Sequence, residues 1–215
     1  MQTMNRFRRR LPIETLSRLP AYREELLTLS SENATVASSR ELAAKLRVSD
    51  AQLRRDLSYL GLLGRPGLGY KVDNLLEKIT EALGLEHKWS LGIVGCGALG
   101  TALARYEGFA LNNMAITALF DVDPNKIGKS IGNIPVSHLD EAKEVVAAKH
   151  LDIAIIAVPA TYAQRAVDAI VSAGVRALLN FAPIAISVPE GVIVRNVDIS
   201  SELQILTHLI TTGGA

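Results

Sequence analysis

Between Trp89 and Asp121 the chain runs strand, glycine turn, helix, strand, acid, and no other stretch constrains the fold as much. An apolar run from Trp89 to Val94 leads into Gly95-Cys96-Gly97-Ala98-Leu99-Gly100. A helical stretch, Thr101 to Ala104, follows, and a second apolar run, Ile116 to Phe120, ends on Asp121. In such a unit the first glycine makes the tight turn, the second lets backbone N–H groups approach a pyrophosphate, and the third lets the helix pack closely on the strand. The helix N-terminus then turns its positive end to the anion. An acid about 20 residues past the last glycine can accept hydrogen bonds from ribose hydroxyls, and its charge disfavours a 2′-phosphate. Gly95, Cys96, Gly97, Ala98, Leu99, Gly100 and Asp121 are therefore candidate residues for a dinucleotide, NAD(H) in preference to NADP(H).

The remainder of the 215 residues leaves room for a second domain. Hydrophobic residues make up 48% of the chain, enough for a substantial core. The lone cysteine, Cys96, excludes an intramolecular disulfide and fits a reducing compartment. Within the glycine turn it suits packing better than redox chemistry. The apolar runs are too short to span a bilayer, and the arginine-rich start lacks the apolar region of a signal peptide. The expectation is a soluble, cytoplasmic protein with no membrane partner. Charge is uneven: residues 1–84 hold 14 Lys+Arg against 10 Asp+Glu (+4), and residues 85–215 hold 9 against 12 (−3), which gives the chain its +1. Such a split points to two modules, the first facing a polyanion.

Residues 1–84 read as that first module. Arg6, Arg8, Arg9 and Arg10 make a basic arm able to reach phosphates. Pro12 suits the first turn of a helix carrying Leu16, Leu19, Leu26 and Leu29, with Pro20 kinking or splitting it. Ser38-Ser39-Arg40-Glu41 is a capping-box signature, Arg47-Val48 a turn, and Ser49-Asp50-Ala51-Gln52 a second box, opening a helix with Leu53, Leu57 and Leu60 on one face. Two capped helices across a tight turn make a helix-turn-helix. The second leaves Ser49, Gln52, Arg54, Arg55, Ser58 and Tyr59 for DNA: arginine can fork onto guanine or hold phosphates, and glutamine can read adenine. A solvated basic face is the plain alternative. Gly64 to Val72 reads as a glycine-rich hairpin presenting Arg65, Gly67, Tyr70 and Lys71, so that the module becomes a winged helix. Asp73 is expected to cap a linker helix with Leu75, Leu76, Ile79 and Leu83, ending at Gly84.

Residues 85–198 alternate strand and helix, the pattern of a Rossmann-type doubly wound parallel sheet in an α/β chain. Asp123 stands as a second acid behind Asp121. Residues 152–158 form a buried strand halted by Pro159, and residues 175–179 another, ending at Asn180-Phe181-Ala182-Pro183. A ligand lies across the carboxyl ends of such strands, which brings Val122, Val158, Pro159, Asn180, Phe181, Ala182 and Pro183 to the coenzyme. This apolar, acid-free surround penalises the cationic oxidised nicotinamide and favours NADH over NAD⁺. Residues 199–215 carry an apolar helix, with Leu203, Leu206, Leu209 and Ile210 on one side, that needs a second subunit to bury it.

Taken in order, Arg18-Leu19-Pro20-Ala21-Tyr22, Arg54 to Tyr59, Gly67 to Tyr70, Gly95 to Gly100, Phe120 to Pro124, Asn180 to Pro183 and Asn196-Val197-Asp198 resemble the Rex family of redox-sensing transcriptional repressors nearly end to end. The resemblance implies a homodimer with exchanged C-terminal helices, bound to palindromic double-stranded operator DNA and released when NADH binds. It also implies that Arg18, Tyr106 and Asp198 act in the switch, with Tyr106 also near the coenzyme. The chain departs from the family's pattern at Pro66, often arginine; at Ala98, often a larger polar residue; and at Ile199, commonly an aromatic residue or leucine. Two other readings compete. A small NAD-dependent dehydrogenase would need a substrate domain for which residues 85–215 leave no room, and His87, His138, His150 and His208 follow no catalytic or metal-ligand pattern. A coenzyme A-binding protein could use the same turn, though Asp121 speaks against it.

Overall fold

Residues 11–64 and 68–213 are described by the structure, a computed structural model, and the chain divides into two units, Met1–His87 and Lys88–Ala215. In the first unit Pro12, extended at φ −56°, opens α1 (Ile13–Ser31). Pro20 does not split this helix. A mid-helix proline costs about 3 kcal/mol, whereas Leu19, Tyr22 and Leu26 on either side of it are all buried in one core and contribute about 1.5–3 kcal/mol each. The chain then runs through β1 (Val36–Ala37), α2 (Ser39–Lys45) and α3 (Asp50–Tyr59), followed by β2 (Tyr70–Lys71) and α4 (Val72–Ala82).

The helix-turn-helix is built as its caps require. Ser38 and Glu41 exchange the two hydrogen bonds of a capping box, and Arg47 turns the chain at φ +54°. The box at α3 is only half made. Ser49 Oγ accepts from Gln52 N, but the Gln52 side chain goes to Asp56 rather than back to Ser49. Two expectations change. Asp73 lies inside α4 and does not cap it; Lys71 holds the N-cap position without a side-chain bond. The strand of the expected hairpin, Tyr70–Lys71, pairs antiparallel with Val36–Ala37, a two-residue strand with no periodicity to announce it. Arg65, Pro66 and Gly67 lie outside the described residues. Leu42, Leu53, Leu57, Leu75 and Ile79 join the α1 residues in the core of this unit.

The second unit is a seven-stranded sheet of order β5-β6-β4-β3-β7-β8-β9, parallel except where β5 (Ser130–Ile131) meets β6 (Ile134–His138). From β3 (Trp89–Val94) the chain winds outward through β4 (Met114–Asp121) and β6. It then crosses back to β7 (Ile153–Ile156) and continues through β8 (Ala177–Asn180) and β9 (Ile193–Asn196). The reversal between β3 and β7 is the topological switch point of a doubly wound sheet, where ligands bind. Alternation along the strands splits the core in two. Val94, Phe120, Ala154 and Ile156 pack with α6 (Ala142–Lys149) and α7 (Ala160–Ser172) on one face, and Leu91, Ile93, Leu119 and Ile155 pack on the other. Both faces are covered, as a parallel sheet demands. The turn after β3 leads into α5 (Ala98–Ala104), a short 3-10 segment covers Glu107–Asn112, and the chain ends in α8 (Ile199–Thr211), none of whose residues is buried.

Candidate coenzyme and nucleic-acid sites

At the carboxyl end of β3 the three glycines face three different environments. Gly95 has φ +99°, and a Cβ there would meet Ala157 O at 2.6 Å; a Cβ on Gly100 would collide with Gly95 O. Both glycines are thus required by the protein's own packing. Gly97 is not: its φ is −74° and nothing lies within 4 Å of a Cβ built on it. The space above Gly97 is open and lies where a pyrophosphate approaches the backbone in this fold.

Asp121, at the end of β4, is only 8% exposed. Its Oδ1 accepts from Val122 N (2.8 Å) and Asp123 N (2.9 Å), and its Oδ2 from Cys96 N (2.8 Å) and Lys126 Nζ (3.0 Å). Burial pushes its carboxyl group up, but these four donors prevail and hold it below the usual carboxylate range. Asp121 therefore braces the glycine turn against the loop after β4, and its charge is balanced by Lys126. Asp123 Oδ1 is occupied by Asn125, and its Oδ2 lies 3.9 Å from Lys126. Cys96 is buried, with its thiol pushed up to about 11 by burial and then by Asp121, so it is an inert packing group.

A cleft of about 320 Å³ opens beside these residues. Of the expected set, Gly95, Gly97, Asp121, Val122, Val158 and Pro159 line it. Leu139, Tyr162 and Arg165 join them, unforeseen, as does Lys126. The signal for Tyr162 and Arg165 was present in their spacing of three on α7, which puts both on one helix face. Cys96, Ala98, Leu99 and Gly100 are not among its lining residues. Neither are Asn180 to Pro183. Asn180 is buried and spends its amide on the loop that follows and on the end of β9: Nδ2 donates to Ala182 O, Ile184 O and Asn196 Oδ1, and Oδ1 accepts from Ala182 N. Phe181 packs into the core, Ala182 is buried and Pro183 is exposed. Tyr106 stands before the 3-10 segment, mostly exposed, with its ring edge-on to Phe109.

On the first unit Arg54, Arg55, Ser58 and Tyr59 are exposed on α3, and Lys71 is exposed on β2. Arg54 is held across the helix by Asp50 (2.9 Å) and donates to Ser39 Oγ (3.1 Å); Ser58 donates to Arg55 O. Arg54, Arg40 and Tyr70 line a cleft of about 790 Å³ with Ser38, Ser39 and Leu68. Gln52 is half-buried, and Ser49 is committed to the cap. Arg65 and Gly67 lie outside the described residues. Of the residues expected in the switch, Arg18 forks onto buried Asp56 in the first unit. Asp198, in the second, caps α8 through Ser200 N and Ser201 N. Among the described residues no group of three or more acidic, histidine or cysteine side chains could hold a metal, and no helix is long and apolar enough to cross a membrane.

Known families match a stretch of each unit. A domain family described as "CoA binding domain" matches residues 86–184, and one described as "Putative DNA-binding protein N-terminus" matches residues 10–58. The redox-sensing transcriptional repressor Rex of Chloroflexus aurantiacus is 45% identical over 199 residues, 93% of this chain and 94% of that protein. The one from Streptomyces coelicolor is 48% identical over 198 residues, 92% and 77% of the two chains. Among solved structures, that of RSP in complex with β-NAD⁺ and operator DNA superposes with a TM-score of 0.90 at 32% identity, covering 96% of this chain and 95% of the other. That of RSP in complex with β-NADH gives 0.86 at 31% identity, covering 96% and 97%.

Proposed function

The chain belongs to the Rex family of redox-sensing transcriptional repressors, and we propose that it senses coenzyme at the switch point of its sheet and DNA at α3 and β2. It is a repressor and not an enzyme, so the dehydrogenase reading falls away. Residues 1–84 carry the DNA module and linker helix, residues 85–198 the coenzyme module, and residues 199–215 the dimerising helix. The observation that carries this reading is Gly97: the fold gives no reason for a glycine there, and a ligand passing close to the backbone does.

Gly95 to Gly100 cradle the pyrophosphate, Asp121 and Lys126 meet the ribose edge, and Val158, Pro159 and Asn180 to Pro183 surround the nicotinamide. No acid stands among these last residues to offset the charge of the oxidised ring, which favours NADH. Coenzyme A shares the pyrophosphate but not the nicotinamide. Operator DNA is held by Arg54, Arg55, Ser58, Tyr59, Tyr70 and Lys71, with Arg65 and Gly67 at the wing. Bound NADH supplies the redox signal, and the chain's two binding events are reciprocally linked, each lowering the affinity for the other by the same factor. The exposed stripe Ile199, Leu203, Leu206 and Ile210 on α8 is buried by a second copy. In the dimer two α3 helices about 34–36 Å apart meet successive major grooves, so a small rearrangement is enough to release them. The reading carries a cytoplasmic location with it.

Paired substitutions test the division of labour. Arg55→Ala is expected to weaken operator binding and leave NADH affinity unchanged. Gly97→Ala is expected to leave Tm unchanged and weaken NADH at least about tenfold, ~1.4 kcal/mol. Equal NADH affinity for wild type and Gly97→Ala by titration calorimetry contradicts the assignment.

A further inference from the structure

Helix α3 carries a carboxylate with more donors than it needs. Asp56 is 0% exposed, and five hydrogen bonds converge on it. Oδ2 accepts from Arg18 Nε (2.7 Å) and Tyr22 OH (2.8 Å). Oδ1 accepts from Arg18 Nη2 (2.8 Å), Thr15 Oγ1 (2.9 Å) and Gln52 Nε2 (3.0 Å). A carboxylate offers about four acceptor positions, and the four bonds from α1 already fill them. The fifth, from Gln52 one turn earlier on α3, is surplus to the needs of Asp56. Its consequence falls on Gln52.

An ionised carboxylate can only accept, so the amide end that faces Asp56 is the NH₂, and Oε1 is directed away from it. Burial raises the carboxyl of Asp56, but Arg18, Tyr22 and Thr15 together hold it below its usual range, so it stays ionised. A free glutamine has several rotamers and two amide faces. This one has a fixed face, and it stands at the third position of α3, near the helix end that enters a major groove in this motif.

We propose that Asp56 is a positioning residue for sequence readout: it locks the Gln52 amide with Oε1 outward, to accept a hydrogen bond from the exocyclic amino group of one adenine or cytosine. In the major groove those are the base-edge donors available, adenine N6 and cytosine N4. Because Arg18 and Gln52 share Oδ1, the guanidinium of α1 and the reader on α3 are parts of one cluster. The inference rests on the repressor reading and adds to it the chemistry of one base contact.

The test uses the full-length protein without coenzyme and an operator selected from randomised palindromic duplexes, then varied one base pair at a time. Gln52→Ala identifies the pair that Gln52 reads, as the one whose preference disappears. Asp56→Asn is expected to reduce the preference at that same pair at least fivefold. Thr15→Val, which removes another donor to Asp56 without touching Gln52, is expected to keep it. Gln52→Glu keeps an acceptor but replaces the N–H that meets Asp56 with a carboxylate oxygen, which the buried acid repels; loss of the preference in this variant supports the anchor even if Asp56→Asn fails to fold. The proposal is overturned if Gln52→Glu retains the preference, if Gln52→Ala changes none, or if Asp56→Asn weakens every duplex alike. Absence of operator binding by the wild type would instead overturn the repressor reading itself.

Discussion

At the scale of single residues the two modules share a device, a buried carboxylate held ionised by converging donors. Asp56 and Asp121 both titrate below their ordinary range once folded, so the unfolded chain takes up protons first as pH falls. Their contribution to stability is complete above the ordinary carboxylate pKa of about 4 and is lost as pH drops through the folded values. Tm measured against pH is expected to fall on the acid side, and Asp56→Asn to flatten that limb while lowering Tm at neutral pH. A Tm independent of pH between neutrality and the carboxylate range and falling progressively below it agrees with the account; a Tm that rises on acidification does not. Lys126 gives a second expectation. Its cation balances Asp121 (3.0 Å), at what we propose is the ribose edge, so Lys126→Met is expected to leave that edge net acidic and to repel a 2′-phosphate. For a half-exposed lysine the effect is about 1 kcal/mol, roughly fivefold. NADPH affinity is expected to fall by that factor more than NADH affinity; equal losses remove Lys126 from the discrimination.

At the scale of elements, what the sequence makes legible is what local chemistry determines. The capping box at Ser38, the positive-φ turn at Arg47 and the strand-turn-helix from Trp89 onward all follow from neighbours within a few residues. The acid at the end of β4 was readable as well, but its four partners were not, because Cys96 N and Lys126 Nζ reach it only after the sheet has formed. Asn180 shows the same limit: its place at a strand end is evident, while its commitment to Ala182, Ile184 and Asn196 depends on how the loop returns. β1 escaped because two residues carry no period. Asp56 does leave a signal in the sequence, since an acid between Leu53 and Leu57 on the apolar face must have partners or stay neutral. Helix α8 belongs to the legible group, and its exposed stripe requires cover. Leu206→Asp is expected to convert a dimer to a monomer in sedimentation and to weaken operator binding at least about tenfold, one major-groove contact no longer being paired with a second. A wild-type monomer at micromolar concentration would sink this part of the account.

At the scale of the whole molecule the claim is thermodynamic: one chain binds a reduced dinucleotide and a duplex, and each opposes the other. Charge is divided, +4 on residues 1–84 and −3 on residues 85–215, as the proposed division of labour requires, with phosphates drawn to the first and a coenzyme accepted beside the balanced Asp121 and Lys126 in the second. Phosphate contacts make duplex affinity steeply salt-dependent, so coupling is meaningful only at fixed ionic strength. The direct measurement is anisotropy of a fluorescent operator duplex bound to the protein, titrated separately with NADH, NAD⁺ and NADPH at one salt concentration. NADH is expected to release the duplex at concentrations where NAD⁺ and NADPH leave it bound. A duplex held as firmly in saturating NADH as without it contradicts the account.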